Sequence, residues 1–274
     1  MSEHASSLLL ALYFSVSHCL GSNTLEFNDE LYKKRFQTRA EIINYLSGKT
    51  LVTERLSISS TTEDDIDQLA QYFTNEKYLR MYDMSLVWPK SIEEAKEHLK
   101  SKSMTDLKKE IYFFTIKLKG SDKQEEKDTC IGQLGFGRAD EYLWVAYWIA
   151  QKYSHRKYMS EICPPMIKFF FEACEKDGVR ALLISIHNDN VYSQKLAQKI
   201  LEFINEDGKY DRFTNSVVNS AGDITYNEIN YVLIGKKKGT QSEHQEVNLF
   251  LQEVHPGEGQ KKKDKRLCSC CPCR

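Results

Sequence analysis

Residues 142–160 read YLWVAYWIAQKYSHRKYMS, and this stretch decides the fold. Leu143 to Ile149 is an apolar, aromatic run of strand length. A short polar loop follows, and a helical pattern then runs from Tyr158 to Glu175. A strand passing through a loop into a helix is suited to hold an anion. The first helical N–H groups lack intrahelical partners, and the positive end of the helix dipole lies there. Any chemical activity is expected at this junction. Pro164 and Pro165 stand inside the helical pattern, which predicts a helix start or a kink near Pro164.

Upstream, Leu51 to Ser59 alternates as one strand, with Leu56 and Ile58 inward. Thr61-Thr62-Glu63-Asp64-Asp65 opens a helix with hydroxyl caps and first-turn acids. Ser91-Ile92-Glu93-Glu94 is a capping-box pattern for a second helix reaching about Met104. Ile111–Leu118 and Thr129–Gly137 read as strands, the latter thinned on one side by Gly132, Gly135 and Gly137. Downstream, Arg180–Ile186 is a buried strand and Asn190–Phe203 a helix. Tyr210–Val218 and Ile224–Ile234 are two further strands. Successive strands imply antiparallel pairing, and strand-helix-strand implies a parallel crossover. The fold class expected is therefore mixed α/β, with a mostly antiparallel central sheet flanked by helices.

Composition divides the chain into three. The formal net charge is -1, yet the last fourteen residues carry six basic groups against Asp264. The remainder is acidic, which excludes a general nucleic-acid binder. Residues 1–50 are expected to be an apolar, helical extension: Leu8–Leu20 is an apolar run too short to span a bilayer comfortably and reads as a packed or amphipathic helix, with a signal or membrane segment as the alternative, and Glu30–Leu46 is loosely helical before Gly48. Residues 51–236 form the main domain and 237–274 a polar tail. Cys19, Cys130, Cys163 and Cys174 read as buried reduced thiols in a cytoplasmic protein. Cys268, Cys270, Cys271 and Cys273 crowd beside the basic cluster. That pairing suits palmitoylation and peripheral membrane association, with metal binding or an inert tail as alternatives.

Five pieces in order carry a resemblance: Thr53-Glu54-Arg55-Leu56, Ile131 to Phe136, Ala146-Tyr147-Trp148-Ile149, Tyr153 to Glu161, and Asn188 to Ser193. Together they resemble the Gcn5-related N-acetyltransferase (GNAT) family, in particular its branch that acetylates ribosomal-protein N-termini and antibiotics. The resemblance spans Leu51 to Gly235, about two-thirds of the chain. It implies acetyl-CoA as co-substrate and an amine acceptor on a protein or a small molecule. It places Tyr147, Trp148, Ile149, Ser154, His155, Arg156, Lys157, Tyr158, Asn190 and Ser193 at the co-substrate. Ser193 or Tyr192 would protonate the leaving thiolate, and Glu141 (or Asp140 beside it) would serve as base. No metal is implied.

The loop departs from the family pattern at Ser154, Lys157 and Met159, where arginine or glutamine, glycine, and glycine or alanine are usual. Two readings follow. In one, His155, Arg156 and Lys157 attract the phosphates electrostatically. In the other, side chains fill the cradle, and the chain is a non-catalytic binding module delivered to a membrane by its tail.

Overall fold

The computed structural model describes residues 24–26, 39–46, 48–73, 89, 91–102, 111–120, 128–139, 141–221 and 224–235. In chain order the elements are β1 (Thr24–Glu26), α1 (Arg39–Leu46), β2 (Thr50–Val52), β3 (Leu56–Ser60), α2 (Glu63–Leu69) and α3 (Ile92–Lys102). They continue with β4 (Ile111–Leu118), β5 (Cys130–Ala139), β6 (Tyr142–Ile149), α4 (Tyr158–Glu175), β7 (Ala181–His187), α5 (Val191–Ile204), β8 (Tyr210–Ala221) and β9 (Ile224–Gly235). The strands form one sheet ordered β1-β2-β3-β4-β5-β6-β7-β9-β8. Among the described residues, only β1–β2 and β6–β7 pair in parallel. The expected mixed, mostly antiparallel sheet is present. The sequence pattern did not single out β1. The apolar run Leu8–Leu20, Asp140 and the residues after 235 lie outside the described residues.

Helices cover both faces. On one face, Phe170 of α4 stacks on Phe136 at 4.2 Å and meets Phe114 edge-on at 5.5 Å. On the other, Thr61 just before α2 accepts from Gln133, whose Oε1 accepts from the Trp148 indole. Phe73 meets the Trp148 ring edge-on at 5.1 Å. Trp148 is thus core. One large apolar cluster joins α1, α2, α3, α4, α5 and the sheet. A smaller layer on the Trp148 face comprises Ile111, Phe113, Tyr142, Trp144, Ala181, Leu183 and Val232. Glycine in β5 makes room for it: a Cβ at Gly137 would stand 2.0 Å from the Trp144 ring, and one at Gly135 2.3 Å from Phe113.

Two sequence expectations change. The strand over Leu51 to Ser59 is instead a hairpin, with Leu51 opposite Ile58 and Val52 opposite Ser57. Its turn, Thr53 to Arg55, is released from the sheet and used elsewhere. The helix holding Pro164 and Pro165 runs unbroken from Tyr158 to Glu175. The two missing N–H groups would have bonded carbonyls of Ser160 and Glu161, in the first turn. That turn is held from outside, through Glu161, by Thr53 and Arg55.

Candidate active site

The site begins where β6 and β7 part. They pair only from Tyr142–Ala181 to Trp144–Leu183. Beyond that point Val145 to Ile149 has a strand partner on the β5 side alone. The result is a wedge that opens toward the C-terminal ends of both strands. From these ends the chain enters α4 and α5, so two helix N-termini converge on the wedge mouth. Two side-chain links cross it. Tyr147 Oη donates to the Ser193 carbonyl at 3.2 Å, and the rings of His155 and Tyr192 meet edge-on at 4.5 Å. Burial pushes the Tyr147 hydroxyl well above the usual tyrosine range, so it stays protonated.

The loop into α4 keeps the backbone that glycine usually provides. His155 has φ 62° and Lys157 φ 65°, both left-handed. Lys157 is the N-cap residue, and its side chain makes no capping bond. The N–H groups of Tyr158, Met159 and Ser160 thus have neither an intrahelical partner nor a capping side chain, and the first helical bond runs from Glu161 N to the Lys157 carbonyl. The side chains of His155, Arg156 and Lys157 are exposed, outside the turn. Arg55 braces the loop: its Nε and Nη2 hold Glu161 at 2.7 and 2.6 Å, and its Nη1 donates to the Arg156 carbonyl at 3.1 Å. The same guanidinium lies 4.6 Å over the Tyr158 ring. Thr53 Oγ1 also donates to Glu161.

The acetyltransferase (GNAT) domain model matches residues 55–200, more than half of the chain. This chain belongs to the GNAT acetyltransferase family. Its class is therefore acetyl-CoA-dependent acetyl transfer. Among solved structures, it resembles a Vibrio cholerae protein assigned as a ribosomal-protein-serine acetyltransferase. That match is 22% identical over 68% of this chain and 97% of the other, with a TM-score of 0.50. A GNAT-family protein from Chromobacterium violaceum matches at 11% identity and TM-score 0.50, over 68% of this chain and 85% of its own. A ribosomal alpha-N-protein acetyltransferase in complex with coenzyme A matches at 16% identity and TM-score 0.48, over 67% of this chain and 96% of its own. No curated protein sequence matches this chain.

Set on the GNAT frame, the residues named from sequence separate into groups. His155, Arg156, Lys157 and Tyr158 stand at the α4 side of the mouth; Asn190, Tyr192 and Ser193 stand at the α5 side. Asn190 caps α5, its Oδ1 accepting from Ser193 N at 3.2 Å. Ser193 is half-buried beside Tyr147, and its hydroxyl makes no hydrogen bond to the described protein. Tyr192 is 68% exposed and meets the His155 ring edge-on. Of the two proposed acids, Ser193 is the inner one. Ile149 contributes backbone at the wedge edge, as does Trp148, whose indole points into the opposite face.

Two assignments do not fit. Ser154 has both its N–H and its hydroxyl bonded to the Gln151 carbonyl, closing a short 3-10 turn at Gln151–Tyr153, so it has no donor left for an anion. Glu141 lies at the closed end of the wedge, in an ion pair with Arg180 at 2.9 Å, while its carbonyl accepts from Arg180 N and Ala181 N. Six residues of strand, about 20 Å, separate it from Tyr147. That position removes it from the base role. The residue that sequence alone underrated is Arg55, visible only as one letter of Thr53-Glu54-Arg55-Leu56.

Proposed function

We propose that this GNAT enzyme acetylates an amine of a protein or small molecule, with the co-substrate held in the β6–β7 wedge. The observation carrying this is the left-handed backbone at His155 and Lys157, which leaves the α4 N-terminus uncapped. Acetyl-CoA supplies an activated thioester. Backbone N–H groups at the start of α4 hold its diphosphate, and Arg156 and Lys157 add positive charge. The free edge of β6 orients the pantetheine chain by main-chain hydrogen bonds. Ser193 Oγ gives a proton to the departing sulfur, and Tyr147, through the Ser193 carbonyl, fixes where that hydroxyl sits. With Glu141 distant, water accepts the acceptor's proton. Calorimetry with acetyl-CoA and CoA is the test. Micromolar binding that weakens with salt is expected, and no heat at millimolar ligand sinks the proposal.

We also propose that the basic tail with Cys268, Cys270, Cys271 and Cys273 anchors the enzyme to the cytoplasmic leaflet by S-acylation. Its support is the pairing of polybasic charge with clustered thiols, a two-signal anchor. A protein ending at residue 260 that fractionates with membranes as well as the whole chain would refute it.

A further inference from the structure

β8 is the last strand of the sheet, and its outer edge has no strand partner among the described residues. Which of its backbone groups face outward follows from the ladder. Asn188 N donates to the Asn227 carbonyl, and Gly235 N to the Arg180 carbonyl. Odd-numbered residues of β9 therefore turn their backbone groups toward β7, and even-numbered ones toward β8. Antiparallel neighbours alternate between bonded and non-bonded pairs. With Val232 opposite Phe213 and Asn230 opposite Asn215, the odd-numbered residues of β8 bond inward to β9 and the even-numbered ones face out. Tyr210 bears this out: its N–H donates to Asn205 Oδ1 at 2.7 Å, and its carbonyl accepts from Asn205 Nδ2 at 2.9 Å. The Asn205 amide thus fills the first outward position as a strand would. The open positions are Arg212, Thr214, Ser216, Val218 and Ser220.

This edge lacks the usual protections. Exposed edges of monomers carry charges, proline or bulges that stop a second chain from pairing. From Phe213 to Ala221 the sequence FTNSVVNSA has no charge, proline or glycine. The register with β9 runs without a bulge from Tyr210–Gly235 to Ala221–Ile224. Arg212, Thr214, Ser216 and Val218 are all exposed. In addition, β7 pairs with β9 only as far as His187–Glu228, whereas β8 and β9 run on together to Ala221–Ile224 as a two-stranded arm. Two strands alone are marginally stable in water.

We propose that β8 pairs antiparallel with β8 of a second copy of this chain, joining the two sheets across a two-fold axis at Ser216. The register follows from the open window. Its midpoint is Ser216, so only an axis there gives every open position a partner. Ser216 then faces Ser216 of the partner subunit, Thr214 faces the partner's Val218, and Arg212 faces the partner's Ser220. No charge meets its like, since Asp211 falls opposite the partner's Ala221. Each arm gains a third strand, because its Val218 and Ser220 lie against Thr214 and Arg212 of the partner subunit. Strands β9 and β7 separate this edge from the wedge, so the pairing is independent of the transfer reading.

The test is sedimentation equilibrium of the full-length protein and of Ser216→Lys and Ser216→Glu, each alone and then mixed. The Ser216 side chain is exposed, so both variants should keep the monomer fold, which circular dichroism checks. The wild type is expected to dimerise. Either variant alone sets like charges opposite each other at the axis and should weaken the dimer about tenfold or more. An equal mixture sets opposite charges there and should restore it. A wild type that stays monomeric at every soluble concentration overturns the proposal, as does a dimer that both variants leave intact. Weakening without rescue in the mixture overturns the axis at Ser216. If either variant fails to fold, Val218→Lys takes its place: it puts a charge on the same edge and should weaken the dimer about tenfold, and an unchanged dimer overturns the pairing. Slow amide exchange at Thr214 and Ser216 in a monomeric sample would mean that a segment of the same chain covers the edge, which overturns it equally.

Discussion

At the scale of single residues, Lys157 and Arg55 carry the site. A left-handed backbone costs a non-glycine residue about 1 kcal/mol or more, and Lys157 adopts it at φ 65°. Lys157→Gly is therefore expected to raise stability by about 1 kcal/mol in urea unfolding and, by removing one of the two charges beside the diphosphate, to weaken acetyl-CoA binding modestly. A loss of stability would mean that the lysine side chain makes a contact worth more than the strain. Arg55 holds the loop carbonyl at Arg156 from across the hairpin turn. Its ion pair with Glu161 is 42% exposed on the arginine side, so its net worth in stability is under about 1 kcal/mol. Its value lies in preorganising the loop. Arg55→Ala is expected to weaken acetyl-CoA binding about tenfold by calorimetry with little change in melting temperature. An unchanged affinity would show that the loop keeps its shape unaided.

At the scale of elements, β2, β3 and α2 show what sequence could and could not reveal. Alternation at Leu56 and Ile58 marked a strand, and the Thr62 to Asp65 cap marked a helix start; both exist. The hairpin was illegible, because a turn at Thr53 to Arg55 has no glycine or proline to announce it. That Glu141 sits at the wrong end of the wedge was equally hidden, since strand order and the fork after Trp144 are tertiary facts. So was Asp65. It read as a first-turn acid, yet it is buried and bonds Lys117 of β4 at 2.6 Å. Burial works to raise its pKa, but the hydrogen bonds from Lys117 and Thr62 outweigh burial and hold it below the usual range. Lys117 is correspondingly raised: burial opposes this, and the bond to Asp65 prevails. The folded pKa of Asp65 lies below its unfolded value, so the pair stabilises fully above about pH 4 and fades as pH falls through the folded value. Asp65→Asn keeps an acceptor for Thr62 N but removes the charge. It is expected to cost about 3 kcal/mol at pH 7, and the gap to the wild type should narrow at pH 3 in urea melts. A gap independent of pH would assign the loss to packing instead.

At the scale of the whole molecule, the large apolar cluster is continuous from α1 to α5 across the sheet, so the wedge is an opening in a single cooperative core. Three thiols report on it from separate places. Cys130 lies on β5 against Asp65, Cys163 near the start of α4 and Cys174 near its end, all buried. Burial, with the Asp65 charge beside it, pushes the Cys130 thiol up to about 12, and burial raises Cys163 further. Cys130 and Cys163 stay protonated at neutral pH, and all three thiols are buried, so a maleimide should leave all three unmodified in the native protein. If the core is one unit, all three become reactive over the same urea range, with midpoints that coincide with loss of far-ultraviolet circular dichroism. If instead the hairpin side opens first, Cys130 labels at lower urea than Cys163 and Cys174. Site-resolved mass spectrometry after brief labelling at each urea concentration separates these outcomes. A common midpoint is the expected one, because α2, β4, β5 and α4 share the same buried contacts.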